Sequence, residues 1–356
     1  MADFKDNLSP ELVAQIGRSL GLGTEFQTRA EGGLGDLELM DRVRWIAAAL
    51  EQAMPSDPRE SAAVIRSALA DGGLDGWASM PVNAYVASAM LDRPDVALPL
   101  LAELTPCFTA EFAIRPFIDA QYEATMAQLR EWTSHPDEHV RRLVSEGTRP
   151  RLPWAGRLPR FIEDPMPAIA LLDRLFDDDS LYVRRSVANH LNDIAKDHPG
   201  VALATARRWA GASTHGDYVV RHGMRTLVKQ GNPDALGLLG FDSDVPVAIE
   251  ELACAPSSIE IGDETTLAFS LRAERDARVV IDYVVHFQGA RGPKAGKVFK
   301  LAVRDLPGGK SVAFERRHRF ETVSVRKIHP GIHRIEVQVN GRILGETTVD
   351  VLAPRA

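Results

Sequence analysis

Apolar residues recur at spacings of three and four from the start of the chain to about Phe241. Alanine and leucine dominate, and short groups of Gly, Pro and Asp interrupt the pattern, as helix stops do. The spacing predicts helices over Leu37–Ala53, Pro58–Ala70, Pro94–Glu103 and Ala168–Phe176. After about Pro246 the period shortens to two. Alternating runs rich in Val, Ile, Phe and Thr cover Thr265–Arg272, Ala277–Phe287, Val298–Val303, Ser311–Phe320, His333–Val339 and Thr347–Val351. Asn340-Gly341 between two of them signals a hairpin. About seven strands in about 105 residues suit an immunoglobulin-type sandwich. The expected fold is therefore multidomain, α then β. A HEAT-like α-helical solenoid spans residues 1–240, an immunoglobulin-like antiparallel β-sandwich spans 246–356, and the boundary falls within Gly231–Val245.

The helical part repeats itself. Three helices align on Val140, Val183 and Val219, a spacing that fits two-helix HEAT-type units. In the middle one, Asp177-Asp178-Asp179-Ser180 supplies acids and a cap at the start, and Pro199-Gly200 ends it. Val183, Val187, Leu191 and Ile194 form its apolar stripe; Arg185, Asn189, Asn192, Asp193 and Lys196 fall on the other side. The first helix sets Arg142 four residues before Glu146, and the third sets Arg221, Arg225 and Lys229 on one stripe. Equivalent faces of successive repeats line up in a solenoid. The expected surface carries arginines with two embedded carboxylates, Glu146 and Asp193.

Charge sharpens this picture. The net charge of the 356 residues is −7, which by itself argues against a polyanionic partner. The distribution argues otherwise. Residues 1–129 hold 9 basic against 19 acidic residues, whereas residues 130–229 hold 16 against 13 and residues 251–356 hold 17 against 13. Binding to a polyanion depends on such local excess. The longest apolar runs, such as Trp45–Leu50, fall far short of the roughly 20 residues a membrane span needs. The first ten residues lack the apolar core of a secretory signal, and two distant cysteines, Cys107 and Cys254, suggest no disulfide framework, so a cytoplasmic location is expected.

Several features bear on chemistry. Gly147–Phe161 reads GTRPRLPWAGRLPRF, setting Arg149, Arg151, Arg157 and Arg160 around Trp154 among helix-breaking prolines. Basic residues interleaved with an aromatic suit nucleic-acid contact; the alternative is a surface loop whose Trp plugs the core. The arginine faces are either solvated surface or phosphate contacts. Glu146 either pairs with Arg142 along its helix or serves chemistry, and Asp193 is either solvated or catalytic. Glu111 sits at a helix start, where an acid also suits the helix dipole. No metal or cofactor is expected: His135 and His139 lack a third ligand, Gly21-Leu22-Gly23 and Gly32-Gly33-Leu34-Gly35 do not follow strands, and no Walker or nucleophile-elbow motif occurs.

The helix Ser180-Leu-Tyr-Val-Arg-Arg-Ser-Val-Ala-Asn-His-Leu-Asn-Asp-Ile-Ala-Lys-Asp-His-Pro199 resembles the signature of AlkC, within the AlkC/AlkD superfamily of bacterial DNA glycosylases. Leu37–Arg44, Ser145–Trp154 and Arg221–Gly231 support it, and the C-terminal runs Tyr283–His286 and Val298–Leu301 resemble the immunoglobulin-like extension of one AlkC branch. The resemblance implies excision of cationic N3-alkylated bases, chiefly N3-methyladenine and also N3-methylcytosine, from double-stranded DNA, without turning the base into a protein pocket. It implies catalytic roles for Asp193, Glu146 and Trp154, and by a weaker motif for Glu111. The expected DNA contacts are Arg142, Arg149, Arg151, Arg157, Arg184, Arg185, Asn189, Arg221 and Arg225, with Arg291, Lys294, Lys297, Arg326 and Lys327 on two sandwich loops acting as a clamp. With Lys196 the only lysine near the two central motifs, a monofunctional enzyme is expected, acting as a monomer without an obligate protein partner. Two other readings stand beside it: a non-catalytic HEAT-repeat scaffold, in which Glu146 and Asp193 are solvated and apart, and a structural binder of bent DNA.

Overall fold

The structure, a computed structural model, describes residues 3–242, 244–323 and 326–354. Its contacts divide the chain into two compact units, one ending at Gly223 and one beginning at Met224.

The first unit is helical. One layer runs in chain order through Leu39–Ala53, Ser79–Ala89, Ile114–Ala120, Glu138–Gly147, Leu181–Asp197 and Thr214–Gly223. Pro58–Ala70, Pro94–Leu104, Tyr122–Trp132, Met166–Leu172 and Pro199–Trp209 alternate with these in sequence. This is the alternation of a HEAT-like solenoid. Val140, Val183 and Val219 are buried on neighbouring helices. Each helix starts on a similar device: Asp137 accepts from the His139 amide, Ser180 from that of Tyr182, and Ser213 from that of Gly216. The helix expected over Ala168–Phe176 runs from Met166 to Leu172 instead. Pro165 and Pro167 pre-set its first turn, and after Leu172 the backbone tightens, with the Leu175 amide donating to the Leu172 carbonyl.

The third repeat helix is shorter than its arginine spacing suggests. It stops at Gly223, where a Cβ would stand 2.9 Å from Leu191 Cδ2, and Arg225–Lys229 is a separate short helix. That helix and Pro233–Leu238, read from sequence as part of the solenoid, belong to the second unit. Gln338 donates to the Lys229 carbonyl and Asn340 to that of Asp242, both at 2.7 Å. At Gly341 a Cβ would fall 1.9 Å from Gly231 Cα, so the two backbones touch there.

The remainder of the second unit is the sandwich. Its strands are β1 (Val247–Ala255), β2 (Ser258–Glu260), β3 (Glu264–Ala273), β4 (Ala277–His286), β5 (Gln288–Gly289), β6 (Gly292–Pro293), β7 (Lys297–Leu306), β8 (Ser311–Arg319), β9 (Gly331–Val339) and β10 (Arg342–Leu352). One sheet has the order β1-β3-β8 and the other β2-β10-β9-β4-β7; β5 and β6 form a small hairpin between β4 and β7. β2 runs parallel to β10, and the other pairs are antiparallel. The predicted hairpin joins β9 to β10, with Asn340 and Gly341 both at positive φ, 46° and 79°. Strand β1 escaped the alternation reading because a bulge between Glu250 and Ala253 breaks its period.

A histidine lies in the sandwich core. The Tyr283 hydroxyl lies 2.9 Å from His318 Nδ1, and burial, with Arg326 and Arg316 nearby, pushes His318 from an ordinary value of 6.5 down to about 4. The unfolded chain therefore takes up a proton at a higher pH than the folded one. Stability from this group is present above pH 6.5 and is lost as the pH falls towards 4. Acidification from pH 7.5 to 5 is expected to lower the melting temperature, and His318→Phe to flatten that dependence. Parallel acid slopes in the two proteins would refute this.

Candidate active site

The site grows from two packed helices and the loop after the first. Glu138–Gly147 carries Arg142 and Glu146, and Leu181–Asp197 carries Ser186, His190 and Asp193. The second helix packs against two layer neighbours, Glu138–Gly147 and Thr214–Gly223, so it is buried on more than its apolar stripe. Ser186, His190 and Asp193 follow at four- and three-residue steps and all lie inside. Asp193, expected on the polar face, is 2% exposed. Gly147 permits close approach of the preceding layer helix: a Cβ there would overlap Ile114.

The two carboxylates converge on one guanidinium. Arg149 Nε and Nη2 each lie 2.8 Å from Asp193 Oδ2, and Arg149 Nη1 donates to Glu146 Oε1 at 2.7 Å. Burial opposes the Arg149 charge, but Glu146 and Asp193 outweigh it and raise its pKa. Arg142 extends the chain of charges: its Nη1 donates to Glu111 Oε2 at 2.5 Å and to Thr109 Oγ1 at 2.8 Å, and its Nη2 lies 3.5 Å from Glu146 Oε1. Lys196 Nζ donates to Asp193 Oδ1 at 2.9 Å from a side chain 42% exposed. Three carboxylates thus meet three cations. Burying such charges is costly unless each is paired, and here each is. Arg142 and Arg149, expected to reach phosphates, are internal bridges instead.

The loop from Thr148 to Leu158 is fastened from below. Arg115 Nη1 donates to the carbonyls of Gly147 and Arg149, and its Nη2 to that of Gly156. Burial lowers Arg115 to about 10, which leaves it charged at neutral pH. Within this clamped loop Trp154 adopts a left-handed backbone, φ 64°, and stands 64% exposed, so it does not plug the core. Trp154 and Phe112, the residue after Glu111, line the same cleft of about 370 Å³.

The other arginines divide. Arg151 makes a two-point pair with Asp197 at 2.8 and 2.7 Å, and Arg184 donates to the carbonyls of Asp178 and Asp179 while lying over the Tyr218 ring. Arg157, Arg185 and Arg221 are exposed. Asn189 Oδ1 lies 3.1 Å from His222 Nε2, and Arg225 opens the short helix of the second unit. On the sandwich, Arg291, Lys294, Lys297 and Lys327 are exposed, and Lys297 opens β7. Arg326 is half-buried with its guanidinium 4.3 Å from the Phe287 ring centroid, which joins the Arg326 loop to the end of β4. Ser324 and Val325 of that loop lie outside the described residues. Among the described residues no group of three His, Cys, Asp or Glu is arranged to hold a metal ion, and no helix is long and apolar enough to cross a membrane.

Sequence reasoning missed Ser186, Ser145, His190 and Arg115. A signal existed for two of them, since Ser186, His190 and Asp193 repeat at i, i+4, i+7, a buried polar stripe beside the apolar one. Nothing in the sequence set Arg149 apart from the other arginines of its loop.

Two relatives match almost end to end. The chain is 34% identical over 350 residues to the Bacillus subtilis (strain 168) protein YhaZ, covering 96% of this chain and 98% of that one. Residues 248–353 match the family model described as "Uncharacterised protein YhaZ, C-terminal Ig-like domain". The solved structure of Pseudomonas fluorescens alkylpurine DNA glycosylase AlkC, bound to DNA containing an abasic site analog, superposes with a TM-score of 0.93 at 35% identity, over 99% of this chain and 100% of that one. An overall identity of 35% across 99% of this chain, covering both the helical unit and the sandwich, places this chain in the AlkC family of alkylpurine DNA glycosylases.

Proposed function

We propose that the protein is a monofunctional DNA glycosylase that removes cationic N3-alkylated bases, N3-methyladenine and N3-methylcytosine, from double-stranded DNA in the cytoplasm, acting as a monomer. The observation that carries this reading is the convergence of Glu146 and Asp193 on Arg149 beside a loop that presents Trp154. A protein-binding scaffold has no use for it, because burying three linked carboxylates is costly and a scaffold surface needs none of them.

The chemistry suits a cationic base. Alkylation at N3 leaves the base positively charged, so breaking its bond to C1′ returns the bonding pair to the base and releases it neutral. No strong general acid is needed. Positive charge passes to the deoxyribose, as in glycoside hydrolysis. Asp193 and Glu146 stabilise that charge, and Asp193 orients the water that attacks C1′ and accepts its proton. Glu111 adds negative potential through Arg142. The Trp154 face packs against the sugar and keeps bulk water away. Arg149 holds the two acids side by side without their repelling each other. Release of free methylated base from alkylated DNA tests the reading; no release at excess enzyme rejects it.

DNA is held, in this proposal, by the exposed cations. Arg157, Arg185 and Arg221 contact phosphates from the helical unit, and Arg291, Lys294, Lys297 and Lys327 act from the sandwich as a clamp that helps keep the duplex bent. Affinity is expected to fall with salt at a log–log slope of roughly −0.9 per neutralised phosphate. Arg185→Ala, Arg221→Ala and the fourfold alanine variant of the sandwich loops should each flatten that slope. Arg142→Ala should leave it nearly unchanged, because Arg142 is spent on Glu111. Titrations at several salt concentrations decide it; unchanged slopes in all three variants would move the DNA surface elsewhere.

A further inference from the structure

We infer that Ser186 is a positioning residue for excision, acting through Glu146; the inference rests on the catalytic reading of Glu146 above. The two oxygens of Glu146 are held by different means. Oε1 faces the guanidinium groups, 2.7 Å from Arg149 Nη1 and 3.5 Å from Arg142 Nη2. Oε2 is held by Ser186, whose hydroxyl lies 2.5 Å away. A hydroxyl has one proton to give, and a carboxylate is a stronger acceptor than another hydroxyl. Ser186 therefore donates to Glu146 and accepts from Ser145 Oγ, 2.9 Å distant. Ser145 is itself anchored, since His190 Nδ1 lies 3.0 Å from its carbonyl oxygen, and burial pushes His190 down to about 4, so at neutral pH it is an uncharged imidazole donating through Nδ1.

These groups form a directed line. His190 fixes the Ser145 backbone, Ser145 orients Ser186, and Ser186 orients Glu146. All four residues are buried, so water cannot replace a missing donor without opening the helix packing. Arg149 alone leaves the carboxylate free to turn about its last bond, because the guanidinium contacts only Oε1. The Ser186 bond stops that rotation and sets which lone pairs of Glu146 face the sugar. A displacement of this size in a positioned group is costly to rate even where binding is intact.

The experiment is single-turnover excision from methylated DNA by wild type, Ser186→Ala, Ser145→Ala, Glu146→Gln and the Ser186→Ala/Glu146→Gln double variant, with the affinity of each for abasic-site DNA. Loss of a hydrogen bond to a charged group predicts a rate about 10- to 100-fold lower for Ser186→Ala, with affinity within about twofold of wild type. Ser145→Ala should show a smaller loss in the same direction, because Ser186 keeps its proton on Glu146. In the Glu146→Gln background the Ser186 change should add little. A wild-type rate for Ser186→Ala, or an equal loss in both backgrounds, overturns the inference. If Ser186→Ala fails to fold, Ser145→Ala in the two backgrounds decides by the same comparison. A Glu146→Gln protein as fast as wild type would instead sink the catalytic reading of Glu146, an outcome distinct from the failure of Ser186 alone.

Discussion

Asp193→Asn is expected to slow base excision by roughly 10²- to 10³-fold, the cost of losing one electrostatic group poised on a developing charge. The substitution keeps shape and removes the negative charge that would face the cationic sugar. Its structural side effects are contained. Asparagine can still present an oxygen to Arg149 where Oδ2 now sits, and its amide then meets Lys196, which is 42% exposed and free to turn into water. Folding and affinity for abasic DNA should therefore persist. Single-turnover base release and a DNA titration read the two quantities separately. Excision within a few-fold of wild type would discard the role of Asp193. A structural binder of bent DNA predicts a different pattern, no excision by any variant and none by wild type.

Arg149→Met is expected to be the most destabilising single change in the helical unit. It removes the partner shared by Glu146 and Asp193, both buried in the free protein. Breaking a buried pair by deleting one member costs about 3–5 kcal/mol, and here the cations left are Arg142, 3.5 Å from Glu146, and the half-exposed Lys196 on Asp193. For a unit of this size that is a fall of roughly 10 °C in melting temperature. Adding Glu146→Gln to Arg149→Met removes one of the stranded charges and should recover part of the loss. A melting temperature within about 2 °C of wild type, or no recovery in the double variant, would mean that the acids find other partners and that Arg149 is not what holds them.

The elements were largely legible because each is encoded locally. The helices around Val140, Val183 and Val219 announce themselves by apolar spacing and by Asp137, Ser180 and Ser213 at their starts. Asn340-Gly341 announces its hairpin because only such residues accept two positive φ values easily. Where a local signal was broken the reading failed. The bulge after Glu250 hid β1, and the stop at Gly223, set by contact with Leu191, could not be seen in a run that stays helical in composition up to Lys229.

The acids were legible as candidates, through the resemblance carried by Ser145–Trp154 and Ser180–Pro199, but their environment was not. Sequence spacing put Asp193 on a polar face beside Asn192 and Lys196, and physics read from one helix alone makes such a residue solvated. The fold buries it, because Leu181–Asp197 is gripped by helices on two sides. Likewise the arginines of residues 142–157 look alike as letters, since each is a long cation in a basic stretch.

By itself the sequence determined the order of helix and strand, the repeat that aligns the three helices and the local excess of positive charge, because these are written in the residues of each segment, and it offered the acids as candidates through the resemblance. Tertiary structure alone decided which cations are spent inside and which face outward. Arg149 reaches Asp193, 44 positions away, and Arg142 reaches Glu111, 31 positions away, whereas Arg185 and Arg221 stay exposed. A guanidinium goes where buried carboxylates need compensation, and that need exists only once the helices have packed and water has been expelled.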